Sequence, residues 1–302
     1  MLNNLKNENI LYLIDGSGYV FRAYYAVKSL IGTNGIPLNA VYGFIRMLFK
    51  FLRNYNPKYF AIAFDTKAIN FRKKLFKDYK ANRISLPKDL IPQFEIIHKF
   101  VNLLNIKLLL KDGYEADDLI GTAAKMAKVA NKKVVIVTSD KDFMQLVNSD
   151  ISLLYEIRTS KIRNNVIIDT KYVMKKFGVL PKNIIDIFAL AGDTADNIPG
   201  VPGIGIKIAT QLVQEYGSLE NVLNVASLIK QKSRRENIIK YKDMALLSKK
   251  LFIIDCNVCY PMMINDFKKK KPFNKDVLNM FKNLGFNSLL RDNYINKYIS
   301  NK

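Results

Sequence analysis

Apolar residues in the first half of the chain recur in two alternating rhythms. Leu11–Ile14, Phe60–Phe64 and Val134–Thr138 are short unbroken runs with the length and composition of buried strands. Between them, Val41, Phe44, Ile45, Leu48 and Leu52 fit one helical face, and Leu90, Phe94, Ile97, Val101 and Leu104 fit another. A helix is expected from Tyr19 and another over 116–130, with a further short strand over 106–110. Such alternation specifies a parallel sheet with helices on both faces. Beyond about residue 169 the spacing turns mostly helical, punctuated by Gly and Pro at 199–205. The expected organisation is an α/β domain followed by a smaller helical region, dividing near 165–185, with no internal repeat.

The 302 residues can bury one large core or two modest ones. No stretch approaches the ~18 apolar residues of a membrane span. The opening MLNNLKNEN is polar and lacks the basic region of a signal peptide, so a cytoplasmic protein is expected. Forty-eight Lys and Arg against 26 Asp and Glu give a net charge of +22, a field that draws polyanions. Abundant Lys, Asn and Ile with no Trp also fit A+T-rich coding, so charge alone does not specify nucleic acid. Cys256 and Cys259 form one CxxC in LFIIDCNVCYP, which reads as a strand. A structural zinc site needs four ligands and the single histidine, His98, is remote, so two reduced thiols are expected. His98, beside Phe94, Ile97 and Val101, reads as an ordinary helix residue, and Ser-His-Asp and Cys-His chemistry are excluded.

The candidate chemistry is carried by nine carboxylates. Asp15 ends the run ILYLI and Asp65 the run FAIAF; Glu115, Asp117 and Asp118 open the helix at GYEADDLIG. Asp140 and Asp142 follow VVIVT in TSDKD, and Asp193 and Asp196 lie in GDTADNIPG. Carboxylates at the C-terminal ends of parallel strands face the crevice where α/β sheets bind ligands. Converging there, they repel one another unless cations neutralise them, and hard divalent cations such as Mg²⁺ suit all-oxygen sites. Each cluster has an ordinary alternative. Helix capping explains one or two acids at 115–118, DxD occurs in plain loops, and a lone Asp at a strand end is commonly a turn residue. A haloacid-dehalogenase-type phosphatase would need a second Asp where Ser17 stands.

Two further segments suit a phosphate backbone. FRKKLFKDYKANR, from Phe71 to Arg83, carries six cations and one acid. On a helix, Lys73, Lys77 and Lys80 would align beside Arg72, Phe76, Tyr79 and Arg83, with rings for bases and charge for phosphates. GVPGIGIKIA offers Gly203 and Gly205 before a helix bearing Lys207, where backbone N–H groups can reach a phosphate unobstructed. KQKSRR at 230–235 and KKKK at 268–271 read as solvated charge or weak phosphate contacts.

In this order the motifs IDGSGYVFRAY, AFDTK, FRKKLFKDYKANR, EADDLIGT, TSDKDFMQLV and LAGDTADNIPGVPGIGIKIA resemble the 5′–3′ exonuclease domain of bacterial DNA polymerase I, of the flap-endonuclease superfamily. The resemblance runs from about Ile10 to Phe286, all nine family acids have a match, and departures such as Ser139 and Thr194-Ala195 leave them intact. It implies a PIN-like α/β parallel-sheet nuclease domain over 10–175 with a helical arch at about 70–90. A helical DNA-binding region with a helix–three-turn–helix element would follow over 176–290, with no polymerase domain. The implied activity is two-metal hydrolysis of phosphodiesters near 5′ ends of DNA, or of RNA primers on DNA, at flaps and nicks. Asp15, Asp65, Glu115 and Asp117 would hold one Mg²⁺ that activates water. Asp140, Asp142 and Asp193 would hold the second, with Asp117 as a candidate bridge, Asp118 and Asp196 as outer partners, and Mn²⁺ as a substitute. Lys80 and Arg83 would bind the scissile phosphate; Arg72, Lys73, Lys77, Tyr79, Gly203, Gly205 and Lys207 would contact DNA, with K⁺ at the hairpin. A monomer is expected, served by a separate polymerase. The rival from another class is a non-catalytic binder of branched DNA, which need not keep all nine acids; a small-substrate phosphatase ranks third.

Overall fold

A computed structural model describes residues 9–32, 35–158 and 163–300. The first eight residues, on which the absence of a signal peptide was to be read, lie outside them. In chain order the first elements are β1 (Ile10–Asp15), α1 (Gly16–Ala26), α2 (Asn39–Tyr55), β2 (Tyr59–Ala63) and α3 (Phe71–Leu75). Then come α4 (Ile91–Leu103), β3 (Lys107–Leu109), α5 (Ala116–Val129), β4 (Lys133–Thr138), β5 (Ile151–Arg158) and β6 (Arg163–Ile168). The helices α6 (Thr170–Phe177), α7 (Ile184–Ala191), α8 (Ile206–Tyr216), α9 (Leu219–Asn224) and α10 (Lys232–Lys240) follow. Last are α11 (Lys242–Phe252), α12 (Asn274–Asn283), α13 (Asn287–Leu290) and α14 (Asn293–Ser300).

Two compact units interleave along the chain, where the apolar pattern suggested a single division near 165–185. The first comprises 1–66, 85–139 and 256–302; the second comprises 67–84 and 140–255. Within the first unit the strands run parallel in the order β3-β2-β1-β4, with Leu13 opposite Ala61 on one side and Ile136 on the other. All six residues of β1 are buried, as a strand covered on both faces requires. The long stripe of α2 buries Phe44, Ile45, Leu48 and Leu52, and the helix stops at Asn56, which takes a left-handed conformation at φ 41°. The chain's last helices return to this unit because their apolar residues find partners there. The Phe100 ring lies 5.9 Å from that of Phe281, and Phe49 lies 5.6 Å from Tyr298.

The second unit holds the basic segment 67–84, a 3₁₀ turn at Lys141–Leu146, a β5–β6 antiparallel hairpin and helices α6 to α11. Its core includes Leu153, Ile168, Ile187, Leu190, Leu212 and Leu251. Two expectations are corrected. LFIIDCNVCYP is not a strand: α11 ends at Phe252 and the following residues run without regular structure. The basic segment is not one long helix either, for a reason given below. Among the described residues no helix is long and apolar enough to cross a membrane.

Candidate active site

In the first unit the five acids are seated by strand ends and one helix start. Asp15 closes β1 and caps α1, accepting from the Gly18 N–H at 2.8 Å and from the Thr138 hydroxyl at 3.0 Å. Asp65 sits two residues past β2, where its own N–H donates to Ser17 Oγ at 3.1 Å. Its Oδ1 accepts from the Ala116 N–H at the start of α5, at 2.9 Å. One chain of hydrogen bonds thus joins Ser17, Asp65 and the acid-rich helix start. Glu115 is the N-cap of α5, and its N–H donates to Asp118 Oδ2 at 3.1 Å. Asp118 is fully buried in that cap, while Asp117 in the same turn is half-buried. Thr138 and Ser17 were not singled out from the sequence. Their signal was position alone: a hydroxyl at the end of β4 and another within the Asp15 turn.

In the second unit the acids meet cations. Asp140 caps the 3₁₀ turn by accepting from the Asp142 N–H at 2.9 Å. Lys141, between them, pairs with Asp193. Asp193 also accepts from the Ala195 N–H at 2.7 Å, and its backbone exchanges two 2.8 Å hydrogen bonds with Ile198, closing the GDTADNI loop. Asp196 pairs with Arg83 and has Lys80 Nζ at 3.9 Å. The basic segment is stitched to this loop through its backbone as well: the Lys80 N–H donates to Asp196 O at 2.8 Å, and Asn197 Nδ2 to Asp78 O at 2.7 Å.

These contacts set the electrostatics. Burial and the neighbouring Asp140 charge push the Asp142 carboxyl up to about 8, and its Oδ1 is buried without a hydrogen-bond partner. Asp140 reaches solvent, yet its carboxyl group is crowded by protein, and that desolvation raises its pKa, with Asp196 adding to it. For Asp193, burial is outweighed by Lys141, which holds the carboxyl below its ordinary value. Lys141 is shifted upward, its burial outweighed by Asp193. Among the described residues no three Asp, Glu, His or Cys side chains gather closely enough in one place to hold a metal ion. Asp193 and Asp196 are engaged with Lys141, Arg83 and Lys80 instead.

The basic segment corrects two DNA-contact assignments. Helix α3 spans only Phe71–Leu75, capped by Asn70, and turns follow to Arg83, with Lys80 in a left-handed conformation at φ 56°. Arg72 is 2% exposed; its Nε donates to Leu251 O at 2.9 Å and its Nη2 to Ile253 O at 2.7 Å. Tyr79 is 4% exposed. Both residues belong to the core of the second unit and are not available to stack on bases or contact phosphate. Lys77 is exposed and Lys73 half-buried, its Nζ donating to Tyr79 O at 3.0 Å.

At the glycine hairpin, Gly203 takes φ +78°, and Gly205 caps α8 with Lys207 exposed in its first turn. A Cβ at Gly203 would come 3.3 Å from Asn237 Nδ2, whereas one at Gly205 would meet nothing within 4 Å. The glycine at 203 answers a backbone requirement; the one at 205 leaves a helix start open. His98 is in ring contact with Phe64 at 4.6 Å, and burial lowers its pKa against the charge of Glu95. That is the behaviour of a packing residue.

Two consecutive family descriptions match almost the whole chain: the 5′–3′ exonuclease N-terminal resolvase-like domain over residues 10–178, and the 5′–3′ exonuclease C-terminal SAM fold over 179–275. The chain belongs to the 5′–3′ exonuclease family. It is therefore a nuclease. The 5′–3′ exonuclease of Buchnera aphidicola is 36% identical over 93% of this chain and 99% of its own length. DNA polymerase I of Rhizobium leguminosarum is 39% identical over 95% of this chain, but this chain spans only 28% of that protein. The same fold is found in the crystal structure of the bacteriophage T5 flap endonuclease in a pseudo-enzyme-product complex with DNA and metal ions. That match has a TM-score of 0.65 at 17% identity and covers 97% of both chains.

Proposed function

We propose that this chain is a structure-specific 5′ nuclease that hydrolyses phosphodiesters near the 5′ ends of DNA, or of RNA primers on DNA, at flaps and nicks in replication and repair. Two divalent cations, Mg²⁺ in the cell, would serve it. The observation that carries the metal reading is Asp142, whose buried, unpartnered Oδ1 lies beside a second carboxylate of raised pKa. Burial and the neighbouring carboxylate both disfavour the ionised form of Asp142, and a bound cation is what would hold it ionised; an all-carboxylate donor set fits a hard one. When bound, such ions polarise phosphoryl oxygens and lower the pKa of water.

The chain's own residues do the rest. Asp15, Asp65, Glu115 and Asp117 form the donor set of the first unit, oriented by Thr138, Ser17 and the N–H groups at the α5 start. Asp118 holds the cap that fixes Glu115. In the second unit Asp140, Asp142 and Asp193 would form the donor set, and Lys141 orients Asp193 by pairing with it. Lys80 and Arg83, now held by Asp196, are the cations offered to the phosphate under attack, offsetting the charge that develops there. Gly203, Gly205 and Lys207 would grip duplex backbone, with K⁺ at the hairpin. Cleavage of a 5′-labelled flap with Mg²⁺, repeated with EDTA, tests the proposal. Cleavage near the junction that EDTA abolishes is expected; cleavage that persists in EDTA, or intact flap in both, would refute it.

A further inference from the structure

The run of four lysines at 268–271 is a strongly charged motif that the nuclease chemistry leaves unused. It is not a loosely solvated tail. Lys269 N–H donates to Lys58 O at 2.7 Å, Asn105 Nδ2 donates to Lys271 O at 3.1 Å, and Lys268 forms an isolated bridge with Tyr59 at the start of β2. This pinned segment walls a cavity of about 610 Å³ whose other sides are the C-terminal end of α2 and α14. Arg53, Lys269, Lys270, Lys271 and Lys297 all line it, and no carboxylate does. Among the described residues none of these five cations is ion-paired.

The walls hold the charge in place. Lys269 Nζ sits 4.5 Å above the Tyr298 ring and donates to Asn56 Oδ1 at 3.2 Å, while the Arg53 guanidinium lies 5.6 Å from the Tyr294 ring. The Tyr298 hydroxyl is buried without a hydrogen-bond partner. Burial lowers the Lys269 pKa, the response of a cation lacking a nearby anion. Both rings already have a cation over a face, so the pocket offers charge and hydrogen bonds more than a stacking platform. It also stands apart from the acids of its own unit. Asp15 and Asp65 follow the C-terminal ends of β1 and β2, whereas the cavity adjoins the start of β2, a strand length of about 16 Å away.

We propose that this cavity is a second anchoring site for the nucleic-acid substrate, binding backbone phosphates of a strand at a distance from the bond that is cut. The inference rests on the nuclease reading above. A phosphodiester backbone is the ligand favoured because the pocket presents five cations and no carboxylate to an anion, and its two tyrosine rings are already covered by cations. Its contacts would be independent of base sequence.

The test is equilibrium binding of a fluorescent single-stranded oligodeoxynucleotide, in EDTA so that nothing is cut, across a salt series. The variant is Lys270→Glu/Lys271→Glu/Lys297→Glu, three exposed side chains. Lys99→Glu/Lys128→Glu/Lys282→Glu, also exposed, makes the same charge change elsewhere in the unit. Circular dichroism checks folding, and Lys270→Gln/Lys271→Gln/Lys297→Gln gives a milder version should the first variant misfold. The pocket variant should bind at least about tenfold more weakly and lose about 2 from the slope of log K against log salt, at about 0.7 per phosphate contact. The control should lose far less of both. Equal losses in the two variants would overturn the site. So would loss of thermal stabilisation by inorganic phosphate or a nucleoside triphosphate without any change in oligonucleotide binding, which would assign the pocket to a free phosphate. If the wild-type chain itself neither binds DNA nor cuts a flap with Mg²⁺, the nuclease reading fails first, and the two failures stay distinct.

Discussion

The five carboxylates of the first unit and the four of the second, which we propose as two metal donor sets, are held in different ways. In the first, the Gly18 and Ala116 N–H groups, the Thr138 hydroxyl and a helix cap orient the acids. Such bonds to an ionised carboxylate are short and fix its direction. In the second, Lys141, Arg83 and Lys80 stand against the acids, and Asp142 is still left with a buried oxygen that nothing satisfies. On the proposed reading, hydrogen-bonded orientation suits a ligand set that must aim, and lysine and arginine partners suit a place where phosphate would arrive.

The sharpest break of this comparison is Asp140→Asn. It should reduce flap cleavage by more than about 10³-fold while flap binding stays equal or tightens, because a donor and a repulsive charge leave together. Cleavage near the wild-type rate would remove Asp140 from the donor set. Lys80→Ala comes next and should lower single-turnover cleavage by about 10²–10³-fold with little loss of duplex affinity. A fall in affinity alone, with turnover at saturating substrate intact, would make Lys80 a tether. Gly205→Val asks less: its Cβ has open space, so the fold should hold. Duplex binding should weaken about fivefold, the worth of one hydrogen bond of about 1 kcal/mol to phosphate, equally for all DNA sequences. An unchanged affinity would leave the hairpin as a simple turn. Finally, thermal melts in EDTA should move the two units' acids in opposite directions. Asp118→Ala should lower Tm through loss of the α5 cap, about 1 kcal/mol. Asp142→Asn should raise Tm at pH 9, above the raised value of about 8 where the buried carboxyl must ionise, and a drop there would show that its carboxylate is satisfied in the fold.

Much of this architecture could be read from the chain, and the exceptions have physical causes. The alternating runs placed β1, β2 and β4 and the helices α2, α4 and α5 to within a few residues, because burial on both faces leaves a strong apolar signature. The basic segment misled because helical spacing counts side chains and ignores the backbone: the residues after Leu75 are held in turns by bonds to the GDTADNI loop, which no local rule contains. Arg72 and Tyr79 looked like DNA contacts from their type, yet carbonyls at 251 and 253, some 180 residues onward, draw the guanidinium inside. The return of α12 to α14 to the first unit was equally illegible, since it rests on aromatic pairs across the whole chain, such as Phe100 with Phe281. The nine acids were visible by position; the pairing of Asp193 with Lys141 and of Asp196 with Arg83 was not. Lys141 could have been noticed, as a lysine between two aspartates needs only a third acid to become a clamp.

The central claim is that each unit contributes one metal donor set, and counting bound ions tests it most directly. Mn²⁺ binding followed by electron paramagnetic resonance should give two ions per wild-type chain. Asp65→Asn/Asp117→Asn should remove one, and Asp140→Asn/Asp142→Asn the other, each leaving a single ion. Two ions retained in either double variant, or a wild-type chain that binds none in the presence of a flap, would contradict the account.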